Sequence, residues 1–180
     1  MPKQGIRSAK NTPTGTEKRE GGEAWLMLDN QLCFAAYSLS REITGLYRPH
    51  LEKLGLTYTQ YITFLVLWEC GEVTMKALGE HLFLDSGTLT PLLKKLARAG
   101  YVEKERDASD ERSVIVRLTP AGWALRDKVL GIPMQILCGT GLQAEVAMDM
   151  RDRMKKLAAD IRAVAQNTGD IMPDESWKEE

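Results

Sequence analysis

Cysteine, histidine and surplus charge are what this 180-residue chain has least of: three Cys, two His and a net charge of −1. Cys33, Cys70 and Cys138 show no CxxC spacing, which leaves no zinc-type ligand set. His50 and His81 show no metal-ligand pairing either, so neither a metal nor a cofactor is expected. No apolar run approaches the roughly 20 residues that a membrane-crossing helix needs. Met1–Ala24 lacks the apolar core of a secretory signal, so a cytosolic location and no membrane partner are expected. In that reducing compartment three cysteines do not make a structural disulfide framework. The near-zero net charge excludes affinity for a polyanion through bulk charge. Even Met75–Arg117 carries eight basic against seven acidic residues, so any such affinity has to come from local placement. With 43% hydrophobic and 27% charged residues, the chain has the composition of one ordinary domain with a sizeable core.

Within that ordinary composition, Leu84–Arg117 is the most organised stretch. Asp85 is placed to cap a helix, because its carboxylate accepts otherwise unpaired N–H groups of the first turn. Leu89, Leu92, Leu93 and Leu96 then recur at three- and four-residue spacing and make one apolar face. The opposite face offers Ser86, Thr88, Thr90, Lys94 and Lys95, short or cationic groups able to reach bases or phosphates. Gly100 stops the helix. Tyr101–Arg106 and Val114–Leu118 alternate apolar and polar residues around the turn-rich Ala108–Glu111, which predicts a charged hairpin. Helix followed by β-wing is the order of a winged helix-turn-helix that binds double-stranded DNA. The residue pattern by itself also fits an amphipathic helix packed on a solvated hairpin.

The rest of the chain predicts helices, which makes the fold mainly α with a small β-wing. Leu28, Leu32, Ala36, Leu39, Ile43 and Leu46 form a stripe on a first long helix that Pro49 ends or breaks. Thr57 with Gln60 is a capping box that opens a second helix through Trp68. Met75–His81 is the short scaffold helix before the recognition helix. Thr119–Pro120 caps the next one, which Pro133 interrupts or kinks. Leu142, Val146, Met150, Met154, Leu157, Ile161 and Val164 make a stripe over about six turns. Apolar helices at both ends of the chain, with no sheet to cover, predict mutual packing in a homodimer, which supplies DNA with a second half-site. Residues 1–23 read as a disordered arm and 167–180 as a loose tail. Residues 24–166 are the domain, with 57–118 the DNA-binding region and 24–50 and 119–166 the dimerisation helices.

Cys33 lies in the first helix with Tyr37 four residues on, on the same face. Tyr47 is fourteen residues on, about 21 Å along a straight helix, so it meets Cys33 only from another subunit or around a bend. A tyrosine hydroxyl can donate to a thiolate and favour that reactive species. Taken alone, a cysteine in an apolar helix is more often a packing residue.

The segments DNQLCFAAYSLSRE, LGLTYTQYITFLVLWE, LGEHLFLDSGTLTPLLKKL and DERSVIVRLTPAG closely resemble the organic hydroperoxide resistance regulators, the peroxide-sensing branch of the MarR family of dimeric winged-helix repressors. The resemblance runs from about Leu28 to Pro133. It implies that Cys33 is a reactive thiolate that attacks a peroxide oxygen and becomes a sulfenic acid. Tyr37, Tyr47 and Tyr58 match tyrosines near that sulfur, the last two reaching it from the neighbouring subunit. Ser86, Thr88, Thr90, Pro91 and Lys94 fall on the helix that enters the major groove. Asp110 and Arg112 match a wing motif in which the Asp orients the Arg for the minor groove, compatible with a simple salt bridge at the hairpin tip. Cys138, 105 residues after Cys33 and just past Pro133, looks like the resolving cysteine of the two-cysteine members, which forms an intersubunit disulfide. Closing that bond needs α-carbons within roughly 7 Å, and any helix movement this requires is a means of releasing DNA. Cys70 matches no functional position and is expected to pack.

The reading is a homodimeric repressor that releases its operator when an organic hydroperoxide oxidises Cys33. Two rivals remain. In one, a MarR-type repressor is released by a small phenolic ligand and Cys33 only packs. In the other, the chain is a thiol peroxidase.

Overall fold

The computed structural model describes residues 22–107, 110 and 113–167. All of the expected arm and tail except residues 22, 23 and 167 lies outside the described residues. Two short 3-10 turns, Gly22–Leu26 and Leu28–Asn30, lead into helix α1, Leu32–Leu51. The helix therefore starts one turn later than the apolar stripe predicts, with Leu28 in the preceding turn. Pro49 does not end it. The helix runs two residues further because Leu51 is buried in the core, and that burial outweighs the hydrogen bond the proline removes.

Helix α2, Tyr58–Cys70, opens with the predicted capping box. The Gln60 amide donates to Thr57 Oγ1 at 3.3 Å, and the Thr57 amide donates to Gln60 Oε1 at 2.8 Å. A three-residue strand β1, Glu72–Thr74, follows, then α3, Met75–Leu82, and α4, Ser86–Arg98. The expected hairpin is β2, Val102–Arg106, and β3, Val114–Leu118. It belongs to a three-stranded antiparallel sheet of order β1-β3-β2, whose short third strand the hairpin reading did not include. Arg117 on β3 ties the outer strands together, donating from Nε to Glu72 at 2.5 Å and from Nη1 to Glu105 at 2.6 Å. All three side chains are exposed, so salt screens these pairs and they fix register more than stability.

Thr119 accepts the Gly122 amide and starts α5, Pro120–Val129, as expected. The chain then breaks before α6, Ile132–Thr140, with Pro133 in its first turn. Helix α7, Ala144–Asn167, carries the long stripe, and Met154, Leu157, Ile161 and Val164 on it are each about half exposed (45–56%).

The core is built from Leu51, Phe64, Leu67, Leu78, Leu89, Leu93, Leu96 and Val116, each at most 1% exposed. Two glycines let its elements approach closely. A Cβ on Gly79 would lie 2.8 Å from the Leu84 carbonyl oxygen and 3.1 Å from Leu89 Cδ1, so this glycine sets the spacing of α3 and α4. A Cβ on Gly122 would collide with the Tyr101 carbonyl oxygen and lie 2.9 Å from Leu118 Cδ2. The Gly122 carbonyl in turn accepts the indole N–H of Trp68 at 3.0 Å, which fastens α5 to α2. Gly122→Ala forces backbone against backbone, and we expect it to cost about 1–3 kcal/mol, read as a lower urea midpoint at unchanged slope. An unaltered midpoint would show that α5 can shift without loss.

Candidate functional site

Helix α4 has its two faces assigned by the core. Leu89, Leu92, Leu93 and Leu96 are buried, whereas Ser86, Thr88, Pro91, Lys94 and Lys95 are exposed and Thr90 is half-buried. Arg98 adds a third exposed cation in the last turn, one that periodicity did not single out. Asp85 caps the helix with both oxygens: Oδ1 accepts the Thr88 amide at 2.9 Å and Oδ2 the Thr88 hydroxyl at 3.0 Å. Those Thr88 donors hold the Asp85 carboxyl below the usual carboxylate range, the amide contributing most. The Thr90 hydroxyl donates to the Ser86 carbonyl at 2.7 Å. Both hydroxyl protons are thus committed within the helix, and what Thr88 and Thr90 present outward is acceptor lone pairs. Pro91 has no N–H for the Gly87 carbonyl one turn back, so that acceptor also loses its helical partner. Beyond the helix, Asp110 is exposed in the wing, where its carbonyl accepts the Ser113 amide at 2.8 Å. Arg112 lies outside the described residues.

The second constellation is strung along α1. Cys33 is the second residue of the helix and exposed, in a first turn that no side chain caps. The amide side chain of Gln31, the capping position, turns back instead to the carbonyls of Trp25 and Met27. Tyr37 sits one turn on, 55% exposed, with Phe34 beside it at 6.4 Å between ring centroids. Tyr47 is at the other end, where it packs edge-on to Tyr58 at 5.1 Å and against Tyr61 at 5.4 Å. Tyr61, three residues after Tyr58 and buried, completes a trio of which the sequence reading named only two. Burial raises the Tyr47, Tyr58 and Tyr61 hydroxyls, Tyr61 to about 12. Mutual repulsion of their ionised forms adds to the shift at Tyr47 and Tyr61. These hydroxyls therefore remain neutral O–H donors throughout the physiological range.

Cys138 is exposed near the end of α6, which packs on α1. Its neighbour Gly139 lies against Leu46, where a Cβ would stand 3.8 Å from Leu46 Cδ1. Leu46 is thirteen residues, roughly 20 Å of helix, from Cys33. One protomer therefore brings Cys138 to the Tyr47 end of α1 and keeps it away from Cys33 and Tyr37. Between α1, α6 and α7 a cavity of about 820 Å³ is lined by Leu39, Ile43, Tyr47, Leu137, Met150 and Met154, with Glu42 and Arg151 among its polar groups. Cys70, expected to pack, is instead exposed at the last position of α2, just before the capping Gly71.

A buried-faced recognition helix after a scaffold helix, followed by a β-wing, defines a winged helix-turn-helix protein. Residues 45–129 match the family model for the transcriptional regulator SarA/Rot. The organic hydroperoxide resistance transcriptional regulator of Bacillus subtilis (strain 168) is 46% identical over 126 residues, 70% of this chain and 84% of that relative. Reduced AbfR bound to DNA is 34% identical with a TM-score of 0.66, covering 79% of this chain and 98% of that one. AbfR in its disulfide form is 33% identical with a TM-score of 0.54, covering 80% and 96%. The chain belongs to the organic hydroperoxide resistance regulators, among the MarR-like winged-helix proteins.

The Asp85 cap has a pH signature. Its carboxyl titrates lower in the folded chain than in the unfolded one. Its stabilisation is therefore complete above the ordinary carboxylate range and lost as pH falls through the folded value. Asp85→Ala should lower the thermal midpoint at pH 7, and the gap to wild type should narrow below about pH 4. A gap that persists into strong acid would assign the loss to something other than the carboxylate.

Proposed function

We propose that this chain is a homodimeric, DNA-binding repressor that an organic hydroperoxide releases from its operator by oxidising Cys33. The observation that carries the reading is the division of one reactive constellation between the two ends of α1. Cys33 and Tyr37 stand exposed at one end, and Cys138, Tyr47 and Tyr58 gather at the other. A second copy whose α1 runs antiparallel to the first brings each cysteine end onto the tyrosine end of its partner. The half-exposed stripe of α7 and the exposed Trp25, Leu26 and Leu32 supply the apolar surface for that pairing. Residues 24–50 and 119–166 are then the dimerisation elements, and 57–118 the DNA-binding part.

In the reduced dimer Ser86, Thr88, Thr90, Pro91, Lys94 and Lys95 face the major groove. Asp110 and Arg112 serve the wing. The Cys33 thiolate attacks a hydroperoxide oxygen, giving a sulfenic acid and an alcohol. The thiol of Cys138 of the partner subunit then displaces water and closes a disulfide. Closing it draws the end of α6 toward the start of the other α1, and the helices carrying α4 move with them. Solved forms of AbfR that are reduced on DNA and disulfide-bonded support this sequence of states for a relative. The chain acts in the cytoplasm and is a sensor without enzymatic turnover, needing no cofactor. No described helix is long and apolar enough to cross a membrane.

Fluorescence anisotropy of a duplex from upstream of the gene tests the reading. Wild type should bind when reduced, release on about one equivalent of organic hydroperoxide per subunit, and rebind after a dithiol. Cys33→Ser should bind DNA and ignore peroxide; release of that variant by peroxide would move the sensor elsewhere. Cys138→Ser should still lose its Cys33 thiol but form no covalent dimer on a non-reducing gel. A dimer band in that variant would show that another cysteine, with Cys70 the first to test, closes the bond. Arg112→Ala should weaken binding and flatten its salt dependence, as loss of a cationic groove contact does.

A further inference from the structure

Cys33, Tyr37 and Arg41 follow one another at four-residue steps along α1, and so share one face of the helix. The Arg41 guanidinium donates from Nη1 to the Tyr37 hydroxyl oxygen at 3.0 Å and lies 5.6 Å from the ring centroid. Among the described residues no carboxylate pairs with Arg41, and Glu42 beside it lines the α6–α7 cavity instead. An exposed cation thus directs its charge-assisted bond to a phenol that stands one turn from the cysteine on the same face.

We infer that Arg41 is a positioning residue for the peroxide reaction of Cys33, acting through Tyr37; this rests on the redox reading above. A hydroxyl oxygen that already accepts a charge-assisted bond has its own hydrogen aimed away from the donor, and it donates more strongly. Cys33 stands one turn back on the same face, so a peroxide held at its sulfur is the acceptor we assign to that hydrogen. The thiolate sulfur attacks the distal peroxide oxygen, an S–O bond forms and the O–O bond breaks. The bonding pair leaves on the proximal oxygen as an alkoxide, a strong base that needs a proton. Tyr37 supplies it, the alcohol departs, and the Arg41 charge holds the transient phenolate until solvent reprotonates it. The products are the sulfenic acid and one alcohol, with the organic hydroperoxide as the only oxidant.

The test separates this role from mere support of the helix by changing the leaving group. In full-length protein with Cys70 and Cys138 both replaced by Ser, the second-order rate of Cys33 sulfenic acid formation is followed by trapping and mass spectrometry. Cumene hydroperoxide expels an alkoxide, whereas peracetic acid expels a carboxylate that needs no proton. Arg41→Gln should slow the first oxidant about tenfold or more. It should slow the second much less, and Arg41→Lys should recover part of the loss. Tyr37→Phe should behave alike, and the double variant should be no slower than either single one. Equal slowing with both oxidants, no slowing with either, or additive losses in the double variant would overturn the role of Arg41. Should the wild-type sulfur react with neither oxidant, the redox reading itself fails. A reactive wild type beside an unaffected Arg41→Gln sinks this inference alone.

Discussion

Burial of one face of α4 is the constraint on which the rest of the molecule depends. Leu89, Leu93 and Leu96 are sealed in the core beside Leu78 and Phe64. Each contributes on the order of 1.5–3 kcal/mol of transfer free energy. Turning the helix by one residue, about 100°, would bring Lys94 into that core in place of Leu93. The penalty for burying its ammonium forbids the turn. The outward presentation of Ser86, Thr88, Lys94 and Lys95 is therefore a consequence of packing, and it needs no contact of its own to maintain it. Gly79 completes the arrangement, since only a hydrogen fits where α3 meets the Leu84 carbonyl.

A second constraint is the length of α1. A twenty-residue helix spans about 30 Å and does not fold back on itself. Whatever stands at its two ends is kept apart within the chain, and chemistry that needs both ends has to recruit a second chain. The half-exposed leucine, isoleucine and methionine side chains along α7 point to the same conclusion from energetics, because an apolar stripe of that length lowers its free energy by finding a cover. Helices α1 and α5 share the core of the DNA-facing half, through Leu51, the three packed tyrosines and the Trp68–Gly122 bond, and α7 adds a contact of another kind. At one point the Arg162 guanidinium of α7 lies 4.8 Å from the ring centroid of Phe83. Phe83 is the left-handed residue (φ 54°) between α3 and α4. Such a contact ties α7 to the turn before the recognition helix through a cation and a ring face, with no packed apolar seam among the described residues at that point.

Much of this was legible in the sequence because it is governed by neighbours in the chain. Asp85 and Thr88, Thr57 and Gln60, and Thr119 and Gly122 are each three residues apart, so their side chain-to-backbone bonds follow from helical geometry. Leucine spacing assigned the faces of α4 for the same reason. The strand β1 was not legible, because three residues carry no period and Glu72–Thr74 is a strand only through its pairing with β3. Pro49 misled because local propensity argues for a break, while burial of Leu51 two residues later carries the helix through. Cys70 misled because a cysteine ending an apolar helix resembles a packing residue until the face left uncovered at that helix end is known. Tyr61 was overlooked because aromatic clustering is a property of two helices, α1 and α2, seen together.

The sequence by itself determined the helices, their caps, the faces they turn inward and the nature of the cysteine helix, since all of these arise from interactions within one or two turns. Only the tertiary structure decided that Cys33 stays exposed and that Cys138 lies at the far end of α1 with Tyr47, Tyr58 and Tyr61. Those facts depend on where α6 and α2 pack along α1. That placement is chosen by the fit of side chains distant in the chain, which no local pattern encodes.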